Sequence, residues 1–390
     1  METARQGPQV LARPIFADPV LSEERIRQRL KEILVPAERE ARSRGKKLAD
    51  DDRQSLIAHF LISEECIGPF SAPVIAGWFR RNLKIIPKVG PIQPFTLNPI
   101  QWAVLTELTL DLQAGRPVRY LVLKARQFGL STLFQAILFF TAFRFAGWTA
   151  TTVAHKDEAS RNLMSMAIRY LRNMPARPAM NTENTKELVF KAPHESRLLI
   201  ESAENKDAKR SFTNQALHLS EIAFWPYAEQ TNLAIMQTVP DASWTMVFKE
   251  STANGVGGVF YNEYWAAKKK ASDSTSNARA FFFPWHIHPD YSQNVSAEMQ
   301  SKLLSTLDEE ERAGVKVHGW TVEQLAWRRK TIADGCHGSV AKFHQEYPST
   351  DREAFLVSGR PVFDLSLLEQ RLDACRAEKI EFTGHLVYDG

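Results

Sequence analysis

Cysteine is scarce in this chain of 390 residues: Cys66, Cys336 and Cys375 are far apart and none stands in a CxxC spacing. This pattern excludes a disulfide scaffold or a zinc knuckle and fits a reducing compartment. Long apolar runs are also lacking, because the longest, residues 133–143, is shorter than a membrane span and ends at Arg144. The start, METARQGPQV, has no apolar segment of the signal-peptide kind. We therefore expect a soluble intracellular protein.

The sequence has no large excess of charge of either sign. Its 49 basic and 45 acidic residues give a formal net charge of +4, and the 44% hydrophobic content is that of an ordinary globular protein. Internal repeats and low-complexity tracts are lacking. At about 150 residues per domain, the length predicts two or three domains. The charge alone does not distinguish a nucleic-acid translocase from another mildly basic enzyme.

Hydrophobic patterning divides the chain into three parts. Residues 1–90 favour polar helices, and Pro36 is expected to stop or bend the helix that begins at Glu23. After residue 290 the pattern is again helical and charged. The central part alternates short apolar strands with helices, with strands predicted at 120–123, 149–154, 187–190, 197–203, 216–219 and 244–248 and later helices at 296–313 and 321–333. This alternation predicts an α/β fold with a mostly parallel sheet, in which ligands bind at the carboxyl ends of the strands.

Residues 124–132, with the sequence KARQFGLST, join a predicted strand to an apolar helix. A phosphate loop needs this context, because backbone N–H groups at a helix N-terminus can hold phosphate oxygens. Against the pattern G-x-x-x-x-G-K-[ST], Gly129 and Ser131 match, Leu130 stands at the lysine position, and Lys124 stands at the first glycine. The Lys124 ammonium could reach the same phosphates from the opening of the loop. An ordinary strand-to-helix turn hinged at Gly129 is the alternative.

Ser220 and Glu221 directly follow the strand at 216–219. Nucleotide hydrolases of this sheet type place an Asp for magnesium and a Glu that polarises water after such a strand. Ser220 stands at the first position, where a hydroxyl could hold a magnesium-bound water but adds no charge. Glu221 stands at the position of the water-activating carboxylate. A surface glutamate in a loop is the alternative, and the place of Glu221 in the same alternating sheet as the loop favours the catalytic interpretation.

A third polar segment, residues 249–255 with the sequence KESTANG, follows the strand at 244–248 and comprises Lys249, Glu250, Ser251, Thr252, Ala253, Asn254 and Gly255. Hydroxyl and amide groups at a strand end can sense a γ-phosphate by hydrogen bonding and relay its loss to a moving element. The alternative is a polar turn closed by Gly255.

Together these segments resemble the ATPase part of phage large terminase subunits, the motors that pump DNA into a preformed capsid. KARQFGLST is similar to the family's deviant phosphate loop, LHLSEIAFW to its Walker B region, and STANG to its coupling motif. LNPIQWAVL at 97–105 is similar to the adenine-side motif, and the segments at 281–291 and 343–363 resemble parts of the lid and of the approach to a second domain. The resemblance covers residues 95–365.

The resemblance implies a P-loop NTPase fold of the additional-strand type (ASCE, RecA-like), with a mostly parallel central sheet flanked by helices, a helical N-terminal segment and a small lid. It implies a helical segment and linker at 1–90, the ATPase core at 91–290, the lid at 291–365, and a linker at 366–390 toward a C-terminal nuclease domain.

ATP and Mg²⁺ are the cofactors that the resemblance implies. ATP is expected to contact Gln101 on its adenine side and the loop residues Lys124, Ala125, Arg126, Gln127, Phe128, Gly129, Leu130, Ser131 and Thr132. Ser131 is the expected magnesium ligand, with Ser220 acting through water. Glu221 is expected to orient the attacking water, and the STANG segment to pass the hydrolysis signal to the DNA-gripping surface.

Two arginines are candidates for neutralising charge on the transferring phosphoryl group. Arg126 lies inside the loop, where it could act on the nucleotide or form a structural salt bridge. Arg210 resembles the place from which some terminases present an arginine finger to a neighbouring subunit. Lys209 could serve instead, and a solvated basic loop is the alternative.

The partners that the resemblance implies are double-stranded DNA, a portal protein, a small terminase subunit and further copies in a homo-oligomeric ring, with a monomer in isolation and no membrane. The expected location is the host cytoplasm, with transient docking on the procapsid. Candidate DNA contacts are Arg80, Arg81, Lys84 and the runs at 268–270 and 328–330, each alternatively a solvated face. The family usually carries a nuclease domain with clustered aspartates. Since Asp364, Asp373 and Asp389 form no such cluster, we expect no nuclease activity in this chain.

A second hypothesis is a catalytically weak nucleotide-binding module that docks on a portal or small-subunit partner. It is motivated by the missing loop lysine and the missing Walker B aspartate. A helicase is a weaker third hypothesis, because the sequence contains no helicase-type second motor domain. Phosphate release separates the first two.

Overall fold

The computed structural model describes residues 23–61, 70–192, 194–204, 212–270 and 277–357, together with residues 371, 374 and 375. Its strands are β1 (Lys84–Ile85), β2 (Gln93–Pro94), β3 (Val118–Lys124), β4 (Thr149–Ala154), β5 (Met180–Glu183), β6 (Glu187–Phe190), β7 (Arg197–Ser202), β8 (Ala216–Ser220), β9 (Met246–Ser251) and β10 (Ala278–Phe283). The first two pair as a small ribbon. The other eight form one sheet in the order β10-β3-β9-β8-β4-β7-β6-β5.

The helices are α1 (Glu23–Ser43), α2 (Asp50–Leu61), α3 (Ala72–Asn82), α4 (Pro99–Gln113), α5 (Leu130–Arg144), α6 (Asp157–Arg172), α7 (Ala228–Met236), α8 (Gly258–Lys270), α9 (Ala297–Ser305), α10 (Glu309–His318), α11 (Val322–Lys330), α12 (Val340–Glu346) and α13 (Asp351–Val357). A π-helical turn, Thr331–Gly335, extends α11. Of the helices in the described ranges, none combines the length and apolarity needed to cross a bilayer.

The sheet is buried on both faces, which the alternation along β3 shows directly. Tyr120 and Val122 belong to a core cluster shared with α5, whereas Leu121 and Leu123 belong to a second cluster shared with α8. Successive side chains of a strand point to opposite faces, so an unbroken apolar run such as β3 requires a cover on each side. The expected layering of a mostly parallel sheet between helices is confirmed.

Strand order also confirms the additional-strand arrangement. β9 lies between β3, which leads into the loop at 124–132, and β8, which ends at Ser220. All neighbouring pairs from β10 through β7 are parallel, and the last two pairs at the far edge, β7 with β6 and β6 with β5, are antiparallel. Consequently the carboxyl ends of β3, β9 and β8 meet at one edge of the sheet.

Several predicted boundaries were wrong. Pro36 was expected to stop or bend its helix, but it lies inside α1 and does not stop it, because a proline costs a helix one backbone hydrogen bond and the turns on either side continue; the bend stays a prediction. The helix predicted over 296–313 is two helices, because Asp308 and Glu311 form a capping box that starts α10 anew. The strand predicted to end at 248 continues to Ser251, and the series does not close there, since β10 adds an edge strand beside β3.

A buried carboxylate anchors β3 and β10 to the helix α4. Asp111 on α4 accepts hydrogen bonds from Tyr120 on β3 (2.6 Å), from Arg279 on β10 (2.8 Å) and from Arg116 (2.5 Å to Nη2). Burial raises the pKa of Asp111, but these three hydrogen bonds outweigh it and hold the pKa below its usual range. The charged form of this side chain therefore stabilises the fold.

The substitution Asp111→Asn tests this anchor. A carboxylate with a lowered pKa stabilises the fold above its unfolded pKa of about 4, and that contribution is lost as the pH falls through the folded pKa. We expect the free energy of unfolding to drop by about 2 kcal/mol near pH 7, and the difference from wild type to shrink toward about pH 3. Urea unfolding across this range measures both. Glu107→Gln is the control, because Glu107 pairs with the same Arg279 from a more exposed position; equal losses in the two variants would contradict the anchor.

Candidate active site

The loop at 124–132 presents the N-terminus of α5 at the carboxyl edge of the sheet. Gly129 is the N-cap with φ 72°, and none of the described side chains caps the helix there. The first N–H groups of a helix have no intrahelical partner, so this end is suited to an anion. Gln127 also has a positive φ, of 56°. This conformation is costly for a residue with a side chain and is typical of functional loops.

The adenine-side motif holds this loop. Asn98 and Gln101 form the capping box of α4, and the same two side chains reach the loop. Gln101 Nε2 donates to the Gly129 carbonyl (2.7 Å), and Asn98 Nδ2 donates to the Phe128 carbonyl (3.1 Å). Gln101 is thus placed next to the phosphate loop, and its contact with an adenine base stays a prediction.

Lys124 lies at the centre of the site, 6% exposed, between two carboxylates. Its Nζ is 3.0 Å from Glu221 Oε1 and 3.1 Å from Glu250 Oε2. Burial alone lowers the pKa of this ammonium, but Glu250 and Glu221 outweigh it and raise the pKa above its usual range. The lysine is therefore charged. Leu130, at the position where the usual loop has its lysine, is a core side chain with 1% exposure.

Glu250, near the end of β9, was not predicted as a site residue, and it connects most of the site. Its carboxylate is completely buried, and Oε1 accepts from Ser131 (2.7 Å) and Ser220 (2.9 Å). Among the described residues its Oε2 has no hydrogen-bond partner and faces Lys124. Burial raises the pKa of Glu250, but the Lys124 charge, the contact with His218 and the Ser131 hydrogen bond hold it well below its usual range.

His218 on β8 is a fixed neighbour of this carboxylate. Its Nδ1 is 3.1 Å from Gln135 Nε2, which can only donate, so Nδ1 accepts. In the neutral ring the proton is then on Nε2, which lies 3.3 Å from Glu250 Oε1 and donates to it. Gln135 also donates to Thr152. A chain of buried polar groups therefore connects α5 to Glu250.

Glu221 meets the predicted coupling segment. It has φ 52°, and its Oε2 accepts from Ser251 Oγ (3.1 Å) and from the Thr252 backbone N–H (3.2 Å). Asn254 donates to the Ala223 carbonyl in the turn after Glu221 (2.9 Å). Glu221 is therefore linked by hydrogen bonds to both Ser251 and Thr252.

Arg126 contacts the helical region that follows β10. Its side chain pairs with Glu346 at the end of α12, its N–H donates to the Glu346 carbonyl (3.1 Å), and its carbonyl accepts from Tyr291. The guanidinium is 61% exposed. In this structure it forms a structural salt bridge, the alternative interpretation of this residue, and its action on a nucleotide stays a prediction.

The structure brings together Lys124, Ser131, Ser220, Glu221 and Ser251. Four other predicted residues, Ala125, Phe128, Leu130 and Ala253, have side chains buried in the core. They can therefore contribute only backbone atoms to the site. The Thr132 carbonyl accepts from Tyr170, and Gly255 has φ 84°. Arg210 and Lys209 lie outside the described residues.

Comparisons with known proteins give structural likenesses only. No protein-family model and no curated protein matches the sequence. Two similar structures are the ATPase domain of the large terminase of Thermus phage P74-26 (14% identity, TM-score 0.41, covering 63% of this chain and 92% of that one) and the large terminase of bacteriophage HK97 (16%, 0.46, 76% and 57%). The chain thus spans little more than half of the HK97 protein. The large terminase of a further, thermophilic bacteriophage in complex with ADP is also similar (11%, 0.36, 50% and 46%).

In structure, the chain resembles the ATPase portion of phage large terminases. At these identities and TM-scores the likeness concerns the fold and not the activity.

A magnesium ion fits this site only with help from a nucleotide. Within the described ranges, no group of three or more His, Cys, Asp or Glu side chains is arranged to hold a metal ion by itself. Mg²⁺ is often bound through one or two protein oxygens together with substrate phosphates and water. The hydroxyl of Ser131 and the carboxylate of Glu250, which this hydroxyl contacts, are suitable oxygen donors.

Glu250 was not predicted as a site residue, because the strand predicted at 244–248 ends before it. The sequence MVFKES ends with charged and polar residues, a pattern that predicts a strand ending at Phe248 and a turn after it. In the structure both charged residues stay in β9, because each has a partner: Lys249 pairs with Glu263 (2.6 Å) and Glu250 with Lys124. A Lys-Glu pair at the end of an apolar strand of such a sheet is the signal that could have identified it.

The substitution Gly129→Ala tests the loop geometry. A Cβ at Gly129 would lie 2.8 Å from Gln101 Nε2, in a backbone conformation that L-residues disfavour by about 1–2 kcal/mol. Gly147→Ala is the matched control, because Gly147 has φ 68° and nothing within 4 Å of its Cβ. Thermal unfolding should show both variants destabilised and Gly129→Ala more so, with ATP binding lost only in Gly129→Ala. Equal behaviour of the two variants would mean that Gln101 does not hold the loop.

Proposed function

We propose that this chain is the ATP-hydrolysing motor portion of a viral terminase large subunit, which translocates double-stranded DNA into a procapsid. The observation that carries the proposal is the contact between Lys124 and Glu221 beside the uncapped N-terminus of α5. A buried cation, a helix N-terminus and a carboxylate at neighbouring strand ends are the parts that phosphoryl transfer to water requires. The terminase assignment rests on the resemblance of the three motifs and is tested by DNA-dependent turnover.

Phosphates of ATP would lie against the N–H groups of Gly129, Leu130 and Ser131, next to the Lys124 ammonium. Glu221 Oε1 occupies one side of that ammonium. A triphosphate competes with Glu221 for the same cation, because both are anions. Release from Lys124 frees a Glu221 oxygen to accept a hydrogen bond from the attacking water and orient it toward the γ-phosphate.

Mg²⁺ would be held on the Ser131 hydroxyl, with Ser220 acting through water, and it would neutralise charge on the phosphates when bound. Both hydroxyls point at the same Glu250 oxygen, so they lie on one side of the site. The Ser131 hydroxyl donates a hydrogen bond to Glu250. To bind Mg²⁺, its oxygen would have to turn a lone pair toward the metal.

Coupling to movement would use the hydrogen bonds at Glu221. Ser251 and Thr252 both donate to Glu221 Oε2, so a change at this carboxylate alters the segment after β9. The Arg126–Glu346 pair joins the phosphate loop to α12 and offers a second route toward the helices after β10. These two contacts support a motor in which nucleotide state and the position of the helical region are linked.

The proposed partners are double-stranded DNA, a portal protein, a small terminase subunit and copies of this chain in a ring, where Arg210 would act on the neighbouring site. The proposed location is the host cytoplasm and the procapsid. One candidate DNA contact is unsuitable: Arg328 is 2% exposed and its guanidinium lies 2.7 Å from Glu310, so DNA phosphates could not reach it. Arg80, Arg81 and Lys84 stay candidates.

The substitution Glu221→Gln tests catalysis. Loss of the carboxylate removes the group that orients and polarises water while leaving the size of the side chain unchanged, so phosphate release should fall by about 10²–10⁴-fold. ATP affinity should be retained or increased, because Lys124 is no longer held by Glu221. Phosphate release is measured with Mg²⁺ and ATP at high protein concentration, with and without double-stranded DNA. A docking module would bind ATP, release no phosphate above background, and respond to Glu221→Gln with no change.

A further inference from the structure

The end of β8 lacks the expected aspartate, but the end of the adjacent strand β9 carries a glutamate. Ser220, at the position where a magnesium-binding aspartate is expected, is the direct register partner of Glu250 on the adjacent parallel strand. Ser220 Oγ donates to Glu250 Oε1 at 2.9 Å. The two residues are therefore level with each other at the same edge of the sheet, and a carboxylate is present there although β8 does not supply it.

The same carboxylate contacts the hydroxyl of the phosphate loop. Ser131 Oγ donates to Glu250 Oε1 at 2.7 Å. In P-loop NTPases, Mg²⁺ is held by the hydroxyl at this loop position together with the acid at the end of the Walker B strand, which corresponds to β8 in this sheet. Ser131 and Glu250 thus stand in the relation that the loop hydroxyl and that acid have to each other.

Charge and burial indicate that Glu250 has more to do than neutralise Lys124. The ammonium of Lys124 and the carboxylates of Glu221 and Glu250 leave one net negative charge in the site. Such a site repels a polyanionic nucleotide and attracts a divalent cation. Glu250 Oε2 is fully buried, accepts no hydrogen bond from the described residues and lies 3.1 Å from the Lys124 ammonium, so a cation already occupies the side of this carboxylate that faces the site.

We propose that Glu250 replaces the missing Walker B aspartate and supplies the carboxylate for the Mg²⁺ ion of the bound nucleotide. The carboxylate has been moved by one strand, from the end of β8 to the end of β9, and Ser220 helps to orient it. This inference rests on the proposed ATP site and gives a role in it to a residue for which the sequence predicted none. The carboxylate contributes by binding Mg²⁺ directly or through a metal-bound water.

Binding of ATP with and without Mg²⁺ tests this role independently of turnover. Isothermal titration calorimetry gives the dissociation constant of ATP in excess Mg²⁺ and in EDTA. Wild type should bind ATP at least about tenfold more tightly with Mg²⁺. Glu250→Gln should lose this enhancement and bind metal-free ATP at least as tightly as wild type, because the repulsion between carboxylate and phosphates is removed. Glu263→Gln is the matched control, since Glu263 pairs with the adjacent Lys249 outside the site and its loss should leave the enhancement unchanged.

The double variant Ser220→Asp with Glu250→Gln returns the carboxylate to β8. It should restore the Mg²⁺ enhancement that Glu250→Gln loses. Circular dichroism shows whether the single variant Glu250→Gln folds with Lys124 buried. If it does not fold, the double variant decides, because Ser220→Asp would again give Lys124 a second carboxylate. A folded Glu250→Gln that keeps the full enhancement, or a folded double variant that lacks it, would overturn the proposal. Failure of wild type to bind ATP under either condition would instead refute the nucleotide site itself.

Discussion

The site depends on one buried cation. Lys124 ends β3, and its ammonium is enclosed by carboxylates from the ends of the two strands that lie next along the sheet. An unpaired charge at this depth would cost several kcal/mol, so the charged lysine requires a carboxylate partner or a replacement for it. This constraint explains why Glu221 and Glu250 both contact the Lys124 ammonium. It also explains why the phosphates of a nucleotide would compete with these carboxylates for the same ammonium.

The fold supplies this geometry through parallel register. Val122 on β3 and Ser220 on β8 are both register partners of Glu250 on β9, which fixes the three strand ends at one level. Asp111 ties β3 to α4, and α4 in turn holds the phosphate loop through Gln101. The core layers on both faces of the sheet keep these ends from moving apart. Glu221, in the turn after β8, accepts a hydrogen bond from Ser251 at the end of β9.

Local spacing predicted the parts of the site that lie within single motifs. Lys124 and Glu221 were identified because each directly follows an apolar run, and the alternation of strands and helices predicted the sheet type. Glu250 was missed because its strand extends through two charged residues that only distant partners stabilise. The pairing of Arg126 with Glu346 joins residues 220 positions apart, and no local pattern encodes such a contact. The edge strand β10 was missed because the resemblance assigns its last residues to a lid.

The affinity for ATP of Lys124→Met, compared with that of Lys249→Met, tests the central claim most directly. Both lysines are buried near the end of a strand and pair with a glutamate, but only Lys124 faces the phosphate loop. If Lys124 is the phosphate-binding cation, its substitution weakens ATP binding by at least about tenfold, while Lys249→Met binds as wild type does. Circular dichroism establishes that both variants are folded. Unchanged ATP affinity in a folded Lys124→Met would contradict the account.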